Sequence, residues 1–229
     1  MTSIDQLTRL CPPPADPPPV DWDAVEATLG FRLPEDYKQL AAVYGPGAFA
    51  GFIRVFHPHG VTEWVDLTGP VPTAMREHLQ NDQAAGRPVP YDPRSLFAMG
   101  VTDNGEHLFW ITNPGNDPDA WHIAVNEARG PVWFTFNGTL TEFLVSVLSG
   151  DTAVPQFPDS LRQTATTFVP SAPRPSTPRS SAPSQSPATL PTDTNVIREW
   201  ARANGYDLPP RGRVPAAVLD AWVQAHGGE

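Results

Sequence analysis

From Val169 to Asp193 the chain is almost entirely proline, serine, threonine and alanine. Such a stretch has too few apolar side chains to offset the cost of ordering its backbone. It cannot run through a core, so it divides the chain into a longer part before it and a short part after it. The sequence holds 29 prolines in 229 residues, well above the usual ~5%. A second cluster, Cys11-Pro12-Pro13-Pro14-Ala15-Asp16-Pro17-Pro18-Pro19, reads as a polyproline II lead-in. The expected divisions are a lead-in at 1–20, an α+β domain at 21–150, a disordered linker at 151–193 and a small all-α module at 194–229.

Within 21–150 the apolar spacing changes period several times. Trp22, Val25 and Leu29 fall at helical spacing before Gly30. Pro34, Glu35 and Asp36 suit the start of a second helix, with Tyr37, Leu40 and Tyr44 on one face and Gly45-Pro46-Gly47 as its stop. Phe49 to Phe56 reads as one strand, and Pro72 to Ala85 as a polar helix. Strands at 95–102 and 106–112 flank Asp103-Asn104-Gly105, a turn that tolerates positive φ. Further strands fall at 120–126 and 132–136. Thr139 and Glu142 have the spacing of a capping box for a last helix that carries Phe143, Leu144, Val147 and Leu148 and ends at Gly150. Helices flanking an antiparallel sheet make an α+β domain.

Charge is unevenly distributed. Residues 1–150 contain 8 Arg/Lys and 18 Asp/Glu, a net of −10, whereas 151–193 carry 3 of each and 194–229 carry 4 of each. The first domain therefore repels phosphates at long range. The single cysteine, Cys11, allows no intrachain disulfide, which fits a reducing cytosol. Neither a secretory signal nor a run of about 20 apolar residues is visible. Lys38 is the only lysine, an arginine bias expected of a GC-rich genome.

After the linker, Val196, Ile197, Trp200 and Ala201 form one helical face, closed by Asn204-Gly205. A loop spans 206–214, and Pro215 opens a second helix with Val218, Leu219, Trp222 and Val223 on one side. The loop carries Arg211-Gly212-Arg213; Arg198 and Arg202 lie on the first helix. These two helices, with the Arg-Gly-Arg between them, resemble the DNA-binding domain of the actinobacterial H-NS-like nucleoid silencer over about residues 194–227. The resemblance implies that Arg211, Gly212 and Arg213 enter the minor groove, with Arg198 and Arg202 as supporting contacts. The physics of the tripeptide agrees. Gly212 lets the backbone lie on a groove floor about 6 Å wide, and two arginines are drawn to the deepened negative potential of narrow AT-rich tracts. The oligomerisation domain usual in that family has no counterpart here. A helix pair with an intervening loop also resembles peripheral-subunit-binding domains, but no lipoyl or acyltransferase domain accompanies it.

Residues 21–150 resemble the SUKH superfamily of Smi/Knr-type domains. The residues that carry the resemblance are Trp22, Leu29-Gly30, Leu33-Pro34-Glu35-Asp36-Tyr37, Tyr44-Gly45-Pro46-Gly47, Leu96-Phe97-Ala98, Leu108-Phe109-Trp110, Trp121 and Phe143-Leu144. The resemblance implies a protein-binding module, in many members an immunity protein against a toxin, with no catalytic residues and no cofactor. No Gly-x-Ser-x-Gly, P-loop or dinucleotide fingerprint suggests an enzyme. His57-Pro58-His59 lacks a third ligand at zinc spacing and reads as polar surface. Cys11, with only Arg9 as a basic neighbour, does not read as an activated thiolate. Trp110, Trp121 and Trp133 read mainly as core, with one of them free to anchor a partner. The sequence therefore predicts a nucleoid-associated DNA-binding protein that docks on AT-rich minor grooves and carries an acidic protein-interaction domain. The alternative is an immunity protein that neutralises a basic toxin.

Overall fold

The computed structural model describes residues 2–162, 167–171, and Trp200, Ala201 and Asn204. The chain divides into two units, residues 1–175 and 176–229.

Unit 1 is built on a seven-stranded antiparallel sheet in the order β6-β5-β4-β3-β2-β1-β7. Its strands are β1 (Gly47–Phe49), β2 (Ile53–Val55), β3 (Leu96–Thr102), β4 (His107–Ile111), β5 (His122–Asn126), β6 (Trp133–Phe136) and β7 (Phe168–Pro170). Among the described residues five α-helices accompany it: α1 (Ser3–Leu10), α2 (Trp22–Leu29), α3 (Glu35–Tyr44), α4 (Val71–Ala84) and α5 (Leu140–Ser149). The alternation of side chains along β4 assigns the two faces. Trp110 meets Tyr37 of α3 at 5.1 Å between ring centroids, and on the same face Phe136 meets Phe143 of α5 at 5.6 Å. Phe109 points the other way, onto Trp133, which Tyr91 covers from the segment after α4. The sheet is thus buried on both faces, and this is the α+β domain expected from the sequence.

Most elements form where the apolar period places them. Gly30 and Gly150 cap α2 and α5 in the left-handed conformation. Thr139 and Glu142 make the reciprocal capping box of α5. The turn between β3 and β4 has its positive φ at Gly105.

Three expectations need correction. Order does not begin at Asp21. Thr2 and Asp5 form a capping box that starts α1, and Leu7 and Cys11 are fully buried in the main core. The Tyr44 hydroxyl donates to the Cys11 carbonyl at 2.6 Å, so the polyproline stretch connects parts of one core. The run Phe49–Phe56 is a hairpin, not one strand. Ala50 and Gly51 both take positive φ, as a type I′ hairpin turn requires, and the Phe52 N–H closes the turn on the Phe49 carbonyl. Residues 151–171 are not all linker. Val154 and Leu161 are buried, Phe157 packs on Phe52 and Phe143, and β7 pairs with β1. Pro170, which has no N–H to donate, sits in β7 at the sheet edge and blunts it.

In unit 2, Trp200 and Ala201 are helical, and the Asn204 N–H bonds back to the Trp200 carbonyl at 3.0 Å. This agrees with a helix that closes near Asn204. The remainder of the expected helix–loop–helix and linker lies outside the described residues.

Candidate docking surfaces and the DNA-binding segment

The segment between β2 and α4 is a loop without periodicity, and its conformation is fixed from below. Leu67 is fully buried. His57 accepts the His59 N–H on Nδ1 at 3.0 Å, its own N–H donates to the Val65 carbonyl, and its carbonyl accepts from Gly60 and Leu67. The Asp66 carboxylate accepts from both the N–H and the hydroxyl of Thr68. Gly60 lies so close to the Val65 backbone that a Cβ has no room there. Trp64 projects from this framework 62% exposed, with Val61 at 40%.

His57 is 2% exposed, which corrects its reading as surface. With Nδ1 accepting, the proton of the neutral ring sits on Nε2. Burial, reinforced by His59, pushes the His57 pKa down to about 4. His59 Nε2 donates to the Pro19 carbonyl at 2.9 Å. That bond joins the loop to the stretch bearing Asp16, Asp21 and Asp23, all exposed.

A second concavity, about 790 Å³, lies between α4 and the turn from β5 to β6. Met75, Leu79 and Trp133 give it an apolar lining, beside His78, Asp82 and His107. Arg87 meets Asp82 at 2.6 Å and His78 meets the same carboxylate at 3.4 Å, while Glu127 and Arg129 also line the cavity. The His107 pKa is lowered to about 4, first by burial and then by His78. Among the described residues no group of three His, Cys, Asp or Glu is arranged to hold a metal. Cys11 lies in the core, and burial raises its thiol to about 11.

The tryptophans named from the sequence are not the exposed ones. Trp110 and Trp121 are buried and Trp133 is half-buried. Trp64 is not singled out by periodicity, but the sequence carries a signal for it: an aromatic residue in the turn-rich stretch Gly60-Val61-Thr62-Glu63-Trp64, outside any periodic element. Arg198, Arg202, Arg211, Gly212 and Arg213 lie outside the described residues.

An α+β domain with a two-sided sheet, a rigid loop presenting one tryptophan, and a strongly acidic composition has the features of a binding module. The chain belongs to the SMI1/KNR4 family (SUKH-1), whose model matches residues 17–146. The Lsr2 DNA-binding domain matches residues 189–225, a span that contains all five residues singled out for DNA contact. No solved structure matches the chain. Among the described residues no helix is long and apolar enough to cross a membrane.

Proposed function

We propose that this protein is a DNA-docked adaptor of the nucleoid. Residues 194–229 bind AT-rich duplex through the minor groove, and the acidic SUKH domain binds a protein. The observation that carries this reading is the Lsr2 DNA-binding match over 189–225. It supports DNA binding, and the Arg-Gly-Arg chemistry supplies the groove. Gly212 lets the backbone approach the floor while Arg211 and Arg213 extend along it, and Arg198 and Arg202 reach flanking phosphates. Such a contact reads groove width and A·T content, not a defined sequence. No catalytic step and no cofactor enter this function, and its place is the cytosol.

The test is titration of the full chain with AT-rich and GC-rich duplexes of equal length. Tighter binding to the AT-rich duplex is expected, and Arg211→Ala or Arg213→Ala should each weaken it by roughly 1–3 kcal/mol. Equal affinity for both duplexes would reject groove selection, and an unaffected double variant would reject the loop.

The SUKH match also supports a second reading, an immunity protein that neutralises a basic toxin through its acidic domain while the tail localises it. Rescue of cells from a co-expressed toxin, persisting in the Arg211→Ala/Arg213→Ala variant, would favour it.

A further inference from the structure

Trp64 and Val61 are exposed apolar residues of one loop, and the chain on either side of them carries one sign of charge. Between Arg54 and Arg76 the chain has Glu63 and Asp66 and no Arg or Lys. Between Arg9 and Arg32 it has Asp16, Asp21, Asp23 and Glu26 and again no Arg or Lys. The His59–Pro19 hydrogen bond brings these two stretches together. Glu26 is paired with Lys38 at 2.5 Å; Glu63, Asp16, Asp21 and Asp23 are exposed. The exposed tryptophan therefore lies in an acidic loop that is hydrogen-bonded to a second acidic stretch.

We propose that the Trp64 loop is the docking site for a basic protein, with Trp64 as the anchor inserted into its surface and Glu63, Asp16, Asp21 and Asp23 as the charged rim. This rests on the reading of the SUKH domain as a protein-binding module and names its surface and the chemistry of its partner. The loop is suited to this because it is already ordered. His57, Gly60, Leu67 and Asp66 hold its backbone, so little conformational freedom is lost when Trp64 is buried. Large aromatic residues that become fully desolvated dominate interface energies, and an acidic rim steers a cationic partner toward them. The same rim repels phosphates and anionic membranes, which leaves a cationic protein as the occupant.

The experiment uses the full chain as bait in a lysate of the source organism. Each captured protein is identified, purified and titrated against the wild type, Trp64→Ala, Glu63→Gln and Val132→Ser, the last altering an exposed apolar residue elsewhere. The expected partner is basic. Trp64→Ala should weaken it roughly tenfold or more, Glu63→Gln should weaken it less and flatten its salt dependence, and Val132→Ser should leave it unchanged. A basic partner that binds Trp64→Ala as well as wild type overturns the surface assignment and leaves the protein-binding reading standing. An acidic partner, or a second copy of this chain, that is lost with Trp64→Ala overturns the proposed occupant. Absence of any partner for the wild type overturns both.

Discussion

The ring of Phe168 occupies the space that a Cβ on Gly47 would need. Phe168 also meets Tyr44 and Phe49 at centroid distances of 5.0 and 4.9 Å. One missing side chain in β1 thus accepts one aromatic ring from β7. Gly47→Ala should expel that ring and destabilise unit 1 by about 1–3 kcal/mol, the usual cost of overpacking. Phe168→Ala should cost about 2 kcal/mol, below the range for a fully buried phenylalanine because this one is half-buried. The two changes attack one contact, so their effects in urea denaturation should be less than additive. Full additivity would show that β7 does not depend on this notch.

The same contact shows where sequence reading stops. Helices α2, α3 and α5 are legible because their apolar residues recur at helical spacing and their ends carry glycine or a capping box. β7 has three residues inside a proline-rich stretch, and its fit depends on Gly47, over a hundred residues away. No local pattern reports that. Helix α1 has its own signal in Thr2 and Asp5, but the prolines that follow suggest an extended lead-in. The β1–β2 hairpin is hidden because Ala50 adopts a conformation that its residue type does not advertise. For the proposed sites, the arginines are suggested by spacing and family resemblance, whereas Trp64 is legible only once the core tryptophans are accounted for.

Stability should fall as the solution is acidified. The pKa of His57 drops from 6.5 to about 4 on folding, because burial disfavours its charged form. The unfolded chain therefore takes up a proton at a higher pH than the native one. The stabilisation is fully present above about pH 6.5 and is lost as the pH falls from there to about 4. The shift corresponds to a contribution on the order of 3 kcal/mol. Protonation of Nδ1 also removes the acceptor of the His59 N–H. His107, lowered to about 4 as well, acts in the same direction. Urea titrations at pH 7.5, 6 and 4.5 should show this loss, and His57→Gln should flatten it. An identical pH slope in the variant would place the effect elsewhere.

Trypsin should separate the two expected domains at a defined point. The Pro/Ser/Thr-rich composition after Ser171 leads us to expect cleavage at Arg179, since the bond after Arg174 leads into Pro175 and resists trypsin. Because β7 pairs with β1, the stable N-terminal fragment should retain Phe168–Pro170 and not end at Arg162. Mass spectrometry of the limit fragment decides this. A fragment ending at Arg162 would mean that β7 is not held in solution, and protection of Arg179 would contradict the expected tether.

The acidic domain should contribute no DNA affinity of its own. Its net charge of −10 in residues 1–150 opposes phosphate approach. The last 36 residues carry only 4 arginines, so their affinity as a monomer should be modest and steeply salt-dependent. A second DNA contact on the same assembly would raise apparent affinity through effective concentration. The measurement compares the full chain, residues 1–175 and residues 194–229 on one AT-rich duplex at two salt concentrations. Residues 1–175, which include β7 and the whole of the described core, are expected not to bind. The full chain should match the isolated tail if it is monomeric, and exceed it if unit 1 self-associates or holds a partner. Salt-dependent binding by residues 1–175 would place part of the nucleic-acid site on the acidic domain and undo this division of labour.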